Sequence, residues 1–80
     1  MVEGGGILNM LEYKGYKTNG VVFNNITRMY HGNVCNIKKN SIDFQCMSPE
    51  NAKQEFEHSV DTYLRFCKNM NKYPEIPGRA

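Results

Sequence analysis

Apolar and polar positions alternate in the first half of the chain and recur every three to four residues in the second. Leu11, Tyr13, Tyr16, Val21, Val22 and Phe23 make residues 11–23 rich in aromatic and β-branched types, the composition of a pleated, half-buried surface. Gly15 and Gly20 interrupt the run, which predicts one long or bulged strand. Asn24-Asn25 supplies a turn, because asparagine tolerates the left-handed backbone region. A second strand is predicted over about Arg28 to Asn36, and Lys38-Lys39-Asn40-Ser41 is the next turn. From Ile42 to Met47, Ile42, Phe44 and Cys46 alternate against Asp43, Gln45 and Met47. That period of two marks a third, half-buried strand. The short connections make the neighbours antiparallel.

The period then changes. Ser48-Pro49-Glu50 reads as a helix start: a residue able to cap, proline at the first helical position, and an acid at the positive end of the dipole. The pattern predicts a helix to about Asn71, with Ala52, Phe56, Val60, Tyr63, Leu64, Cys67 and Met70 as its apolar stripe. Phe56, Val60, Tyr63, Leu64 and Cys67 are its core positions. Glu50, Glu55, Glu57 and Asp61 lie in its first half, with Arg65, Lys68 and the following Lys72 in the second, which complements the macrodipole. Pro74 and Pro77 end the helix and leave an extended tail.

These elements predict an α+β fold. A three-stranded antiparallel sheet is followed by one long amphipathic helix packed on one face. The other face has no helix to cover it. On the second strand Met29, His31 and Cys35 share one parity, opposite to Tyr30, Gly32 and Val34. The uncovered face predicts a homo-oligomer, dimer or tetramer, or a protein partner. Met29, His31 and Cys35, with Lys38 and Lys39 in the adjoining turn, are the candidate interface.

Eighty residues allow one small domain. Residues 1–9 carry Gly4-Gly5-Gly6 and no periodicity, so they are expected to be a flexible extension. The domain is expected over 10–77, with 78–80 as a terminal tail. No apolar run approaches the ~20 residues of a membrane span, and residues 1–9 lack the basic and apolar regions of a signal peptide. A net charge of +2, spread over scattered basic residues, lacks the basic stripe of a nucleic-acid binder. Cys35, Cys46 and Cys67 are odd in number and show no Cys-x-x-Cys spacing, which predicts reduced, mostly buried thiols and a cytoplasmic location.

Specific catalytic motifs are missing: there is no nucleophile elbow, P-loop or dinucleotide fingerprint. His31 suits acid–base work on RNA chemically, but no neighbour in the sequence orients it. Glu55 with Asp61, or Asp43 with Glu57, has no spacing that demands a metal. No cofactor or metal is therefore expected, and the chain is read as a non-enzyme. The sheet aromatics leave a weak RNA-binding module as one alternative. A stand-alone oligomer with another protein partner is a second.

Several segments together are similar to one known family. Met10-Leu11-Glu12-Tyr13-Lys14-Gly15-Tyr16 resembles the opening of HicB-type antitoxin domains. Met29-Tyr30-His31-Gly32-Asn33-Val34 looks like that family's aromatic-Gly-x-Val strand. Phe44 to Ser48, Phe56, Val60-Asp61-x-Tyr63-Leu64-x-Phe66-Cys67 and Lys72-x-Pro74-Glu75-x-Pro77 resemble its helix and tail signatures. The resemblance covers Met10 to Pro77. It implies a degenerate ribonuclease H-like fold without catalytic carboxylates, and a HicA-type RNA-cleaving toxin as partner, neutralised by direct occlusion. Many members carry a C-terminal DNA-binding domain. This chain stops at Ala80, so direct DNA binding by it is not expected. It departs from the pattern at His31 and Cys46, and in being slightly basic where the family is usually acidic.

Overall fold

The computed structural model describes residues 10–78. The predicted N-terminal extension at 1–9 lies outside them, as do residues 79 and 80 of the predicted 78–80 tail. The fold is α+β: four antiparallel strands in the order β1 (Leu11–Tyr13), β2 (Tyr16–Asn24), β3 (Met29–Val34), β4 (Asp43–Cys46), then one helix, α1 (Ala52–Asn69).

The sheet has four strands where the sequence pattern predicts three. The run at 11–23 folds back on itself at Lys14-Gly15, where both residues have positive φ, 54° and 88°. Two such residues make the mirror-image turn whose twist matches a hairpin. Tyr13 pairs with Tyr16 and Leu11 with Thr18 across it. The predicted bulge is present within β2. The register to β3 slips by one residue between Thr18 and Val21, and Gly20 takes φ 107° there. At the next turn the Asn24 side chain accepts the N–H groups of Ile26 and Thr27, at 2.8 and 3.0 Å. Arg28, not Asn25, adopts the left-handed conformation, at φ 63°.

One face of the sheet carries Tyr16, Val21, Val34, Phe44 and Cys46 into the core, joined by Ile42 and by Ala52, Phe56 and Val60 of α1. The predicted helix-core residues Phe56, Val60 and Cys67 are buried; Tyr63 and Leu64 are partly buried against the same core. Met70 ends outside it, about half exposed.

The predicted helix start needs revision in detail. Pro49–Asn51 form a single 3-10 turn before α1. Ser48 is extended and makes no side-chain cap; its carbonyl accepts the Asn51 N–H at 3.0 Å. At the far end Asn71 takes φ 58°, with Asn71 N–H bonded to the Lys68 carbonyl and Lys72 N–H to that of Cys67. This left-handed cap stops the helix three residues before Pro74.

α1 crosses the sheet obliquely. Its first half packs on β4, with the Phe44 and Phe56 rings 5.7 Å apart. Its second half reaches the first hairpin, where Tyr63 meets Tyr16 edge-on at 6.2 Å.

Candidate functional site

Three surfaces carry the groups able to act on something outside the molecule. The first is a polar knot at the end of the sheet holding the Lys14-Gly15 turn. Asp61 of α1 accepts the Tyr13 hydroxyl at 3.0 Å and the Lys14 ammonium at 2.9 Å. The Lys14 bond, then the Tyr13 bond, holds the Asp61 carboxyl below its usual range, and the same pairing raises Lys14. The chain after α1 returns to this end. The Tyr16 hydroxyl donates to the Glu75 carbonyl at 2.8 Å, and the Glu75 N–H donates to the Tyr63 hydroxyl at 2.8 Å. Burial pushes both tyrosines up from their ordinary pKa.

Glu75 does the most in this knot. Its carboxylate accepts the backbone N–H groups of Lys38, Lys39 and Asn40 at 2.6, 2.9 and 2.9 Å, and the Asn40 side chain at 3.2 Å. Three peptide dipoles converging on one anion form a nest. The Lys38 bond is the main reason its pKa is lowered. Asn36 completes the arrangement: its side chain accepts Lys17 N–H and donates to the Gly15 and Gly78 carbonyls. Neither role was visible in the sequence, where a lone acid between two prolines, Glu75 between Pro74 and Pro77, was the available signal.

The second surface is the uncovered sheet face. The candidate interface residues fall in two places. Met29 and His31 lie on this face with Val22, which is 68% exposed and pairs with His31. The His31 Nε2 and Thr27 Oγ1 are 2.7 Å apart, so His31 does have a partner. His31, Gly32, Asn33 and Asp43 line a shallow depression of about 350 Å³. Cys35 and Lys38 lie further along, lining a hollow of about 280 Å³ with Met10, Lys17, Ile37 and Gly78. Cys35 is exposed, unlike buried Cys46 and Cys67, which corrects the expectation of mostly buried thiols for this one residue. It directly follows buried Val34 at the end of β3, and the alternation of the strand turns it to the uncovered face. Lys38 and Lys39 both point their backbone N–H groups at Glu75, so the structure ties their turn to the tail.

Of the predicted site residues, Tyr63 alone lines the third surface. As α1 rises away from β4, a groove of about 500 Å³ opens between them. Phe44 and Ile42 form its floor, and Glu55, His58, Thr62 and Phe66 form its helical wall. Phe66 is 54% exposed. It sits off the phase of the core stripe, which was the signal for it. β4 is an edge strand. Val34 N–H bonds the Ile42 carbonyl at 2.9 Å, so Phe44 and Cys46, in phase with Ile42, bond back to β3. Asp43 and Gln45 then direct their backbone groups outward.

Among the described residues no three His, Cys, Asp or Glu side chains are grouped to hold a metal ion, and no helix is long and apolar enough to cross a membrane. No protein-family model, curated protein or solved structure matches the chain.

Proposed function

We propose that this chain is a non-catalytic binding domain of the HicB type, which neutralises a HicA-type RNA-cleaving toxin by covering it. One observation carries the reading. Three of the segments that resemble that family, the opening, the helix and the tail, are far apart in sequence yet interlock residue by residue. Tyr13 and Lys14 hold Asp61; Tyr16 and Tyr63 hold Glu75; Gly15 lies against Pro77. A chance likeness in three unrelated places has no reason to meet in one cluster. On this reading the meander sheet with one covering helix is a reduced ribonuclease H-like fold, and the shared motif residues are its fasteners.

The docking surface is the open sheet face around Val22, Met29 and His31, extended by the β2–β3 turn, where Ile26 is 91% exposed. An apolar strip with a hydrogen-bonding rim is the usual anatomy of a protein interface. With a net charge of +2, electrostatic steering of a basic toxin is weak, so these apolar contacts supply most of the affinity. The same charge favours, as a second reading, a stand-alone oligomeric domain with a different protein partner. An intracellular RNA-cleaving partner and three unpaired cysteines both fit the cytoplasm.

The test is co-expression with the small protein encoded beside this chain's gene. We expect co-purification and rescue of growth arrest, both lost in Val22→Asp/His31→Asp, which leaves the buried face untouched. Absence of a complex and of rescue by the parent chain rejects the antitoxin reading. Rescue undiminished by the double variant moves the interface elsewhere.

A further inference from the structure

We propose that one corner of the molecule, where the second half of α1 meets the Lys14-Gly15 turn and the tail, binds single-stranded nucleic acid. The proposal uses a surface other than the open sheet face, and it stands whether or not the partner is a toxin.

The basic residues are scattered along the sequence, and the fold gathers most of them. Asp61, Arg65 and Lys68 lie four and three residues apart on one face of α1. Lys14 is carried to that face by its 2.9 Å bond to Asp61, and the charge of Arg65 acts on the same carboxylate. Lys72 follows the helix cap. The tail that begins there ties Glu75 to the backbone of Lys38 and Lys39, so two further lysines join the corner. Six of the nine basic residues in 10–78 thus share it.

The acids do not cancel them. Asp61 and Glu75 are each committed within the chain. Glu12 pairs across the first hairpin with Lys17, Asp43 lies on the outer strand β4, and Glu50 and Glu55 lie at the start of the helical segment. Among the described residues the ion pairs are Lys14–Asp61 and Lys53–Glu57, so Arg65, Lys68 and Lys72 have no carboxylate partner there. The helix dipole accounts for Lys68 in the last turn. It does not account for Lys14, Lys38 and Lys39, which belong to other elements.

Two features name the occupant. Tyr73 is 98% exposed and stands between Lys72 and Pro74, with its ring free of the fold. Cations beside an unpacked aromatic ring match the way single strands are held, with phosphates on the cations and an unpaired base on the ring. A duplex keeps its bases stacked and offers the ring nothing. The cations also lie on both sides of the sheet. α1 covers one face, whereas Lys38 lines the hollow shared with Lys17 and Cys35, and Lys17, between inward-facing Tyr16 and Thr18, points to the other face. A flexible strand follows that bend; a flat anionic bilayer meets one side of it only.

The test is fluorescence anisotropy of a labelled uridine oligomer of about twelve nucleotides, titrated with the full chain at several salt concentrations. We expect saturable binding at low salt. The logarithm of the binding constant should fall against that of salt with a slope of about −3, the value for about four phosphates of a single strand. Arg65→Gln/Lys68→Gln should weaken binding about tenfold or more and bring the slope to about −1.5. Tyr73→Ala should weaken it about fivefold or more and leave the slope unchanged. Lys53→Gln, in the first turn of α1, should change neither. All four positions are exposed, so far-ultraviolet dichroism should match the parent. The slope is read on the parent chain, so it decides even if a variant is unstable. No binding at low salt, a duplex held as tightly as the single strand, or binding indifferent to the double variant overturns the proposal. Equal affinity for polyglutamate, or capture by phosphatidylserine vesicles with the oligomer ignored, overturns it as well.

Discussion

Gly32 is fixed by neighbours on two sides. It pairs with Val21 on β2 and Phe44 on β4. A Cβ built there would sit 2.5 Å from the Phe44 ring and 2.7 Å from the Gly20 carbonyl. Both approaches are far inside contact distance, and one of them is backbone at the bulge, which cannot rotate away. The Phe44 ring lies over the bare glycine and closes the core where a side chain is missing. Gly32→Ala is therefore an overpacking change, expected to cost ~1–3 kcal/mol. Urea unfolding followed by dichroism measures it, and an unchanged midpoint would show that the Phe44 ring moves aside freely.

At the scale of elements, α1 supplies most of what the sheet is packed against. Phe56 and Val60 are completely buried. Phe56→Ala empties the centre of the only core among the described residues, with an expected loss of ~3–5 kcal/mol. In a domain whose total is of order 5–15 kcal/mol, that brings the melting transition close to ambient temperature. A calorimetric scan showing only a few degrees of change would mean that the sheet closes onto the gap. The helix was readable from sequence because a stripe at three- and four-residue spacing over eighteen residues has no competing explanation. The alternation at Ile42–Cys46 was equally clear. The first hairpin was not. Tyr13 and Tyr16 are both β-formers, and two residues between them read as a pause in one strand. Lys14, with positive φ, carries no turn preference that distinguishes it. The edge groove was hidden for another reason: it exists because α1 diverges from β4, and a crossing angle is a property of packing that no single segment encodes.

Taken whole, the molecule is closed by its tail. Glu75 gathers three backbone N–H groups from the β3–β4 connection, and Tyr16, Tyr63 and Asn36 hold the chain on either side of it. Its lowered pKa fixes the sign of a pH effect. The contribution is fully present above the ordinary glutamate value of ~4.3 and is lost as pH falls through the lower folded value. Asp61, lowered by Lys14, adds to the same acid sensitivity, so a local readout is needed to separate them. Amide exchange followed by magnetic resonance should show Lys38, Lys39 and Asn40 losing protection in acid ahead of the sheet. Glu75→Gln should lack that protection at neutral pH. Equal protection in the variant would place the hold on Asn36 instead.

The bulged meander and the tail differ in one further respect, which is time. Each strand meets the next across a short connection, and α1 begins six residues after β4 ends. These contacts are local in the chain and cost little entropy to close. The tail's bonds instead join residues 35–37 apart at Glu75, 42 apart at Asn36, and 59 apart at Tyr16. They form once the rest is already in place. An interaction absent from the folding transition state slows unfolding without hastening folding. The tail is thus a latch on the lifetime of the native state: it governs how rarely the finished domain reopens.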